Sequence, residues 1–215
     1  DLFLAQGAAL QVVARTEAEL AQRLEEWRAE GLDAEGITAD VSTAEGRWTV
    51  VKHMREQWDR LDIFVHCAGT NIRKKSVEYT IDEFRHVIET NATAAFELSR
   101  HLHPLLAASA DASVVFIGSA AGLRPIPTGA PYAMSKAAID QLTRYLAVEW
   151  AGDGIRVNSI APWYIRTPLV EGVLANQQFY DTVISRTPLG RIGEPIEVAS
   201  AVVFLCAAGA SFITG

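Results

Sequence analysis

Short, almost purely apolar runs alternate with longer segments of helical periodicity from one end of the chain to the other. The predicted strands lie at 9–15, 32–42, 61–69, 113–119 and 155–162, and the predicted helices at 16–31, 43–60, 80–107, 131–150 and 194–208. Strands that are apolar on both faces are typical of a parallel sheet covered by helices on both sides. The alternation therefore predicts βαβ units in a doubly wound α/β fold.

The residues that flank the first long helix predict its limits. Thr16, followed by Glu19 three positions later, predicts a capping box at its start, and Gly31 predicts its end. We find no linker, internal repeat or low-complexity segment, so we expect a single domain over residues 1–215. Ligands of such sheets bind beyond the carboxyl ends of the strands, and candidate site residues are therefore those that follow a predicted strand.

Charge and composition narrow the possible partners. The net charge of −7 argues against nucleic acid or an anionic membrane surface as the main partner. No apolar run approaches the roughly 18 residues that a membrane span needs, and no signal-peptide pattern opens the chain. Cys67 and Cys206 are too few for a disulfide framework, which favours the cytoplasm. His66 has no companion ligands nearby in sequence, so we expect no metal.

Ser119, Tyr132 and Lys136 form the most informative group of polar residues. Ser119 ends the predicted strand "VVFIGS", and the other two lie four residues apart at the start of the next helix, on one face. Each alone is as well explained by a helix cap or a solvated surface position. Together they suit proton exchange with a ketone or alcohol oxygen. A lysine cation stabilises a nearby phenolate, and a serine hydroxyl holds the substrate oxygen.

Ser119, thirteen positions before Tyr132, then Lys136, with Asn91 upstream, resembles the catalytic tetrad of the short-chain dehydrogenases/reductases. The resemblance runs along essentially the whole chain. Within the family, the resemblance is greatest to the tropinone-reductase-like branch, in the segments "ARTEAELAQRLEEWRAEG" and "DQLTRYLAVEWAGDGIRVN". It implies a Rossmann-type fold and an NAD(P)-dependent interconversion of a ketone and a secondary alcohol by hydride transfer.

The resemblance also implies a role for each residue of the tetrad. Tyr132 would be the general acid in reduction and the base in oxidation. Lys136 would assist Tyr132 and hydrogen-bond the nicotinamide ribose. Ser119 would orient the substrate carbonyl, and Asn91 would hold a water molecule in a proton relay.

Segments at three further strand ends resemble the family's cofactor contacts. "ADV" (39–41) resembles the part that holds the adenine, "CAG" (67–69) the Asn-Ala-Gly after the fourth strand, and "IAP" with "IRTP" the part that contacts the nicotinamide carboxamide. The residues that these segments contribute are Asp40, Val41, Ala68, Gly69, Pro162, Ile165 and Thr167, in addition to Tyr132 and Lys136.

The sequence departs from the family pattern in three respects. The Gly-rich phosphate loop and its first strand are absent, as is a last strand, so we expect the whole protein to carry roughly 20–30 more residues upstream and a shorter extension downstream. His66 and Cys67 stand where the family usually has Asn-Asn. Trp163 replaces the glycine of the usual Pro-Gly, and its indole should crowd the mouth of the site.

The end of the strand at 9–15 bears on the choice of cofactor. Folds of this kind place an acid there to bind the ribose 2′-hydroxyl of NAD, whereas a nearby arginine suits the 2′-phosphate of NADP. The chain has Ala14 and Arg15 at this point, with no acid before Thr16. Alternatively, Arg15 is only a surface charge at the start of a helix. The pattern favours NADP(H) over NAD(H).

The substrate is the least determined part of the prediction. Arg73, in the loop after the strand at 61–69, could face an acidic substrate group, or it could be part of a solvated basic loop. Trp163 and Tyr164 could line an apolar pocket, and residues 167–190 have the weak patterning of a substrate lid. Sugar-acid dehydrogenases and 3-oxoacyl-carrier reductases of the same family remain alternatives. A noncatalytic dinucleotide-binding or scaffold protein is a further one.

Two long helices carry enough apolar surface for self-association. They are predicted at 80–107 and 131–150. We therefore expect a homodimer or homotetramer that acts on a small carbonyl or alcohol substrate.

Overall fold

The computed structural model describes residues 1–215, apart from the side chain of residue 173. Its strands are β1 (Leu10–Ala14), β2 (Ala34–Thr38), β3 (Ile63–His66), β4 (Ala112–Ile117) and β5 (Ile155–Ile160). Its helices are α1 (Glu17–Ala29), α2 (Ala44–Gln57), α3 (Ile81–Ile88), α4 (Ala94–Ala107), α5 (Ala120–Leu123), α6 (Ala130–Glu149), α7 (Pro168–Leu174), α8 (Gln177–Ser185) and α9 (Pro195–Cys206). A π-helical turn (Glu89–Thr93) joins α3 to α4.

All strand pairs are parallel, as the apolar runs predicted. β1 pairs with β2, and β4 lies between β3 and β5. Helices connect successive strands, which confirms the predicted α/β fold with parallel strands flanked by helices. The strands form two ladders, since β1 and β3 are not hydrogen-bonded to each other.

One apolar core joins the two ladders. Fully buried side chains of β4, α2 and α4, among them Val114, Val51 and Leu106, pack together. Ile37 of β2 and Val13 of β1 pack against the same cluster. Burial of this kind supplies most of the driving force for folding, at roughly 25 cal/mol per Å² of apolar surface. The core therefore holds the two ladders together.

The predicted limits of α1 are confirmed at both ends, but the capping box expected at its start does not form. Gly31 adopts a left-handed conformation (φ +73°), and its N–H donates to the Arg28 carbonyl at 3.0 Å, which closes the helix. Thr16 occupies the N-cap position but its side chain makes no capping hydrogen bond. The Thr16 side chain is exposed, and water can satisfy its hydroxyl. Thr43 and Thr80 do cap α2 and α3 with their hydroxyls.

Candidate active site

Within each ladder the strands are parallel, so the residues predicted from strand ends lie at one edge of that ladder. Each of the five strands contributes at least one of them. They are Arg15 after β1, Asp40 and Val41 after β2, Ala68 and Gly69 after β3, Ser119 after β4, and Pro162 after β5. Backbone hydrogen bonds hold two of these strand ends together, since Ala120 N–H donates to the Pro162 carbonyl at 3.0 Å.

Ser119 is positioned by a very short helix. Ser119 is the N-cap of α5, and its Oγ accepts a hydrogen bond from the Ala121 N–H at 3.1 Å. α5 lies so close to α6 that a Cβ atom on Gly122 would be 2.6 Å from the carbonyl carbon of Lys136. Only glycine permits this approach without a shift of backbone. Gly122 thus brings Ser119 to the helix that carries Tyr132.

Tyr132 and Lys136 are neighbours on α6, as their spacing predicted. The Lys136 ammonium lies 5.7 Å from the centroid of the Tyr132 ring. Lys136 is only 5% exposed, and its Nζ donates to the Ile117 carbonyl at the end of β4 at 2.7 Å. The structure therefore brings a buried cation, the tyrosine ring and the end of β4 into one place.

Burial changes the protonation chemistry around Lys136. It lowers the pKa of Lys136 from 10.5 to about 8, against a smaller opposing effect of Cys67. Burial, and secondly the charge of Lys136, lowers the pKa of His66 to about 4. His66 is neutral at pH 7 for this reason, and its ring packs against Phe116 with the centroids 6.4 Å apart.

Asn91 is fully buried in the π-helical turn, and its side chain makes three hydrogen bonds. The Thr70 N–H donates to Asn91 Oδ1 at 2.8 Å, and Asn91 Nδ2 donates to the Thr70 carbonyl and to Ser135 Oγ, both at 2.9 Å. Ser135 in turn donates to the Tyr132 carbonyl at 2.7 Å. This network ties the loop after β3 to the part of α6 that carries Tyr132. Both N–H groups of the Asn91 side-chain amide are used within this network, so neither is free to bind a water molecule. The water-holding role of Asn91 stays a prediction.

Thr70 and Ser135 are the site residues that the sequence reasoning missed. The sequence does offer a signal for Ser135, a polar residue three positions after Tyr132 and directly before Lys136, and the structure buries it fully. Thr70 contributes only backbone groups, and no residue-type pattern can identify such a contribution.

Replacing Asn91 by alanine should lower the free energy of unfolding by about 2–4 kcal/mol, because the backbone groups of Thr70 would be left unpaired. Chemical denaturation of the wild type and of Asn91→Ala would measure the loss. Asn71→Ala is the matched control, since both polar side-chain atoms of Asn71 are buried without a hydrogen-bond partner. That variant should be as stable as the wild type or more so. Equal losses in the two variants would contradict the role of the Asn91 network.

The four predicted substrate residues line one cavity above this site. The cavity lining includes Arg73, Ser119, Tyr132, Trp163, Tyr164 and Leu169. The cavity lies between the start of α6, the loop after β3 and a segment that we call the lid segment. The lid segment is residues 167–190 and contains α7 and α8.

Trp163 forms a wall of this cavity and anchors the lid segment. Its indole Nε1 donates to Thr187 Oγ1 at 3.0 Å. Its ring meets Tyr164 edge-on with the centroids 4.8 Å apart, and Tyr164 meets Phe179 of α8 in the same way at 5.8 Å. These aromatic contacts join the end of β5 to the lid segment. The indole expected to crowd the site therefore also connects it to the lid.

The adenine-site candidates lie at the end of the two-stranded ladder. Asp40 Oδ1 accepts a hydrogen bond from the Ser42 N–H at 2.9 Å. Hydrogen bonds from the side chain and backbone of Ser42, and more weakly the charge of Arg15, lower the pKa of Asp40. Arg15 itself is exposed at the end of β1.

The candidates for the nicotinamide side lie at the base of the lid segment and beside Lys136. Ile165 forms a parallel bridge with Gly193, and the Thr167 carbonyl accepts the N–H of Val170 in the first turn of α7. A Cβ atom on Gly69 would lie 3.6 Å from both Lys136 Nζ and Asn91 Oδ1. The missing side chain of this exposed glycine leaves the space beside Lys136 accessible, which fits the approach of a nucleotide.

Within the described residues, no group of three or more His, Cys, Asp or Glu side chains lies together as metal ligands would. No helix in the same part of the chain combines the length and the apolar character of a membrane span.

Comparison with known proteins agrees with this arrangement. A family model described as enoyl-(acyl carrier protein) reductase matches residues 1–215. A tropinone reductase homolog of Arabidopsis thaliana is 45% identical over 210 residues, which cover 97% of this chain and 80% of the relative. A tropinone reductase homolog of Datura stramonium is 40% identical over 213 residues, with 97% and 80% covered.

A solved structure shows the same fold. It is a gluconate 5-dehydrogenase from Burkholderia cenocepacia J2315 in complex with NADP and tartrate. It superposes with a TM-score of 0.91 and 28% identity, over 99% of this chain and 86% of that chain. Family match, close relatives and fold agree, and the chain therefore belongs to the short-chain dehydrogenase/reductase family of oxidoreductases, with a Rossmann-type fold and similarity to the tropinone reductase homologs.

Proposed function

We propose that this chain interconverts a ketone and a secondary alcohol with a nicotinamide cofactor, and that residues 1–215 act as one domain. The observation that supports this proposal most directly is the position of Tyr132. It lines the same cavity as Ser119, and the buried ammonium of Lys136 lies 5.7 Å from its ring.

The proposed mechanism follows from these positions. The Ser119 hydroxyl, whose oxygen already accepts a hydrogen bond from the Ala121 N–H, donates a hydrogen bond to the substrate oxygen and orients it without losing its proton. In reduction the Tyr132 hydroxyl donates a proton to that oxygen, and in oxidation the phenolate removes it. The cationic form of Lys136 stabilises the phenolate in either direction. The nicotinamide ring, when bound, supplies or accepts the hydride, and Gly69 and Lys136 border the space for its ribose.

Three other functions are alternatives to the interconversion of a ketone and a secondary alcohol. A gluconate-type dehydrogenase is favoured by the solved structure described above, and a 3-oxoacyl-carrier reductase agrees with the description of the family model. A noncatalytic dinucleotide-binding protein is less favoured, because burial of Lys136 beside a tyrosine destabilises the fold and a binding module gains nothing from it.

A panel of ketones, sugar acids, secondary alcohols and acyl thioesters, each assayed with NADH, NADPH and their oxidised forms, would test the proposal. Turnover of at least one ketone–alcohol pair in both directions is expected. Cofactor binding without any turnover on the whole panel would favour the noncatalytic alternative.

We further propose that NADP(H) is preferred over NAD(H), because Arg15 is exposed at the end of β1. Arg15→Ala should raise KM for NADPH about tenfold or more, the effect of losing one charge-assisted phosphate contact. KM for NADH should change little. Arg28→Ala, which removes an exposed arginine at the other end of α1, is the matched control and should leave both values unchanged. Equal effects of Arg15→Ala on the two cofactors would contradict the proposal.

We propose that the protein forms a homodimer or homotetramer through α4 and α6. Phe96 on α4 and Tyr145 and Val148 on α6 are exposed by 47%, 65% and 82%, and an open groove runs between the two helices on this side of the molecule. Light scattering should give a mass of two or four chains, and Tyr145→Glu together with Val148→Glu should reduce it to one. A monomeric wild type would contradict the proposal. A cytoplasmic location stays a prediction.

A further inference from the structure

Arg73 is the one charged side chain among the described residues that line the active-site cavity. The rest of the lining consists of hydroxyl-bearing and apolar side chains, including Ser119, Tyr132 and Trp163. The loop after β3 carries Arg73, and a hydrogen bond from the Tyr79 hydroxyl to the carbonyl of Ile72, the preceding residue, fixes this loop. The cavity therefore presents a fixed positive charge in a chain whose net charge is −7.

The guanidinium of Arg73 has free donors. Its NH1 donates to the Leu169 carbonyl at 3.2 Å, and no carboxylate of the described residues pairs with it within 4.0 Å. A guanidinium has five N–H donors in a planar fork. Neighbouring basic residues differ in this respect, because Lys74 pairs with Glu83 and Arg166 with Glu194. The chain has 26 acidic residues, so carboxylates are available elsewhere in the molecule. The absence of a carboxylate partner for Arg73 is therefore specific to the cavity.

Arg73 lies near the reacting groups without being one of them. Tyr164 is buried and lines the same cavity as Arg73 and Tyr132. The guanidinium and the Tyr132 ring therefore border one common space, with Tyr164 as part of its wall. A small molecule whose oxygen meets Ser119 and Tyr132 can extend along Tyr164 and place a second group at Arg73.

We propose that Arg73 binds a carboxylate of the substrate, so that the preferred substrates are keto acids and the products are hydroxy acids. This inference rests on the proposed function and names its substrate class. In reduction the ketone carbon would gain a hydride, which a bound nicotinamide would supply, the C=O π bond would break, and the oxygen would take a proton from Tyr132. The carboxylate stays ionised throughout and accepts hydrogen bonds from the free N–H groups of Arg73. The planar guanidinium suits this pairing because two of its N–H groups can meet the two carboxylate oxygens.

Matched pairs of substrates test this inference. Levulinate and acetoacetate would be compared with their neutral methyl esters, using the wild type, Arg73→Gln and Arg73→Lys. For Arg73→Gln, kcat/KM for the acids should fall about 10- to 100-fold, and kcat/KM for the esters should change less than about threefold. Arg73→Lys should retain part of the preference, because it keeps the charge and loses the fork. Lys75→Gln, an equal charge change two residues away on an exposed side chain, is the control.

The competing role for Arg73 is to hold the lid segment through the Leu169 carbonyl. In that case acids and esters would lose activity by the same factor, and the inference would be wrong. A wild type that reduces the esters as well as the acids would also overturn it, while leaving the proposed function intact. If no ketone is reduced at all, the proposed function fails. Calorimetry with levulinate would then still test whether Arg73 forms an anion site. Binding to the wild type that is lost in Arg73→Gln would support the site, and equal binding to both proteins would contradict it.

Discussion

Tyr132→Phe should lower kcat by about 10²–10⁴-fold, the range that a positioned general acid contributes, and should leave cofactor affinity unchanged. The substitution removes one oxygen atom and keeps the ring beside the Lys136 ammonium. The cavity should therefore keep its shape, and the loss should be confined to proton transfer. A change in KM for the cofactor would show that the ring, and not the hydroxyl, had been disturbed.

Steady-state kinetics with a substrate found in the panel, together with cofactor titration by fluorescence, would measure these effects. Tyr145→Phe is the matched control on the same helix, because Tyr145 is exposed and does not line the cavity. It should leave kcat and cofactor affinity at wild-type values. A Tyr132→Phe variant with near-normal kcat would show that another group performs the acid–base step.

Lys136→Met should have two opposite effects: a loss of activity of about 100-fold or more and a gain in stability at neutral pH. The activity falls because the phenolate of Tyr132 loses its cation and the ribose loses a donor. Stability rises because the wild type keeps a charge almost out of contact with water. The lowering of the Lys136 pKa from 10.5 to about 8 corresponds to about 3 kcal/mol. Loss of the hydrogen bond to the Ile117 carbonyl offsets part of this, which leaves about 1–2 kcal/mol.

The dependence on pH gives this prediction its sharpest test. Below pH 8 the lysine is charged in both the folded and the unfolded chain, so the full cost of burial is present. Between pH 8 and 10.5 the folded wild type has lost the proton and the unfolded chain has not, so the wild type gains stability as the pH rises. The advantage of Lys136→Met should therefore shrink over this range. Urea unfolding of both proteins from pH 7 to 10 would measure it, and a difference that does not change with pH would contradict the prediction.

The sequence was most informative where the backbone pattern and the chemistry coincide. Apolar runs predicted all five strands, and the rule that parallel strands end at one edge correctly predicted that the ends of β4 and β5, with Ser119 and Pro162, lie together. The spacing of four between Tyr132 and Lys136 predicted their shared face. These features depend on local periodicity, which a single sequence records directly.

Other features depend on packing between distant segments and were not predictable from the sequence. The approach of α5 to α6 requires Gly122, yet nothing in the sequence distinguishes this glycine from one in a turn. Thr70 takes part in the site through its backbone alone. Thr16 shows the converse, because a good capping signal does not ensure a cap when water can replace the hydrogen bond.

The weak pattern of residues 167–190 has a similar explanation. The segment contains two short helices, α7 and α8. Their apolar side chains pack mainly in a small separate cluster around Tyr164, Val183 and Ile192. Each of these helices is shorter than the roughly 11–18 residues over which helical periodicity is recognised, so the segment as a whole shows a weak pattern.

The π-helical turn that carries Asn91 acts like a single inserted residue inside an otherwise continuous helix. The Ala94 N–H donates to the Glu89 carbonyl, five residues back instead of four. Each residue of an α-helix advances the chain by about 100° of rotation, so the extra one turns every later side chain by that amount. Leu98 and Leu102 reach the core only in this register. A one-codon deletion between Glu89 and Thr93 would therefore leave a regular helix and rotate its second half away from the core, so insertions and deletions here should be tolerated far less than substitutions.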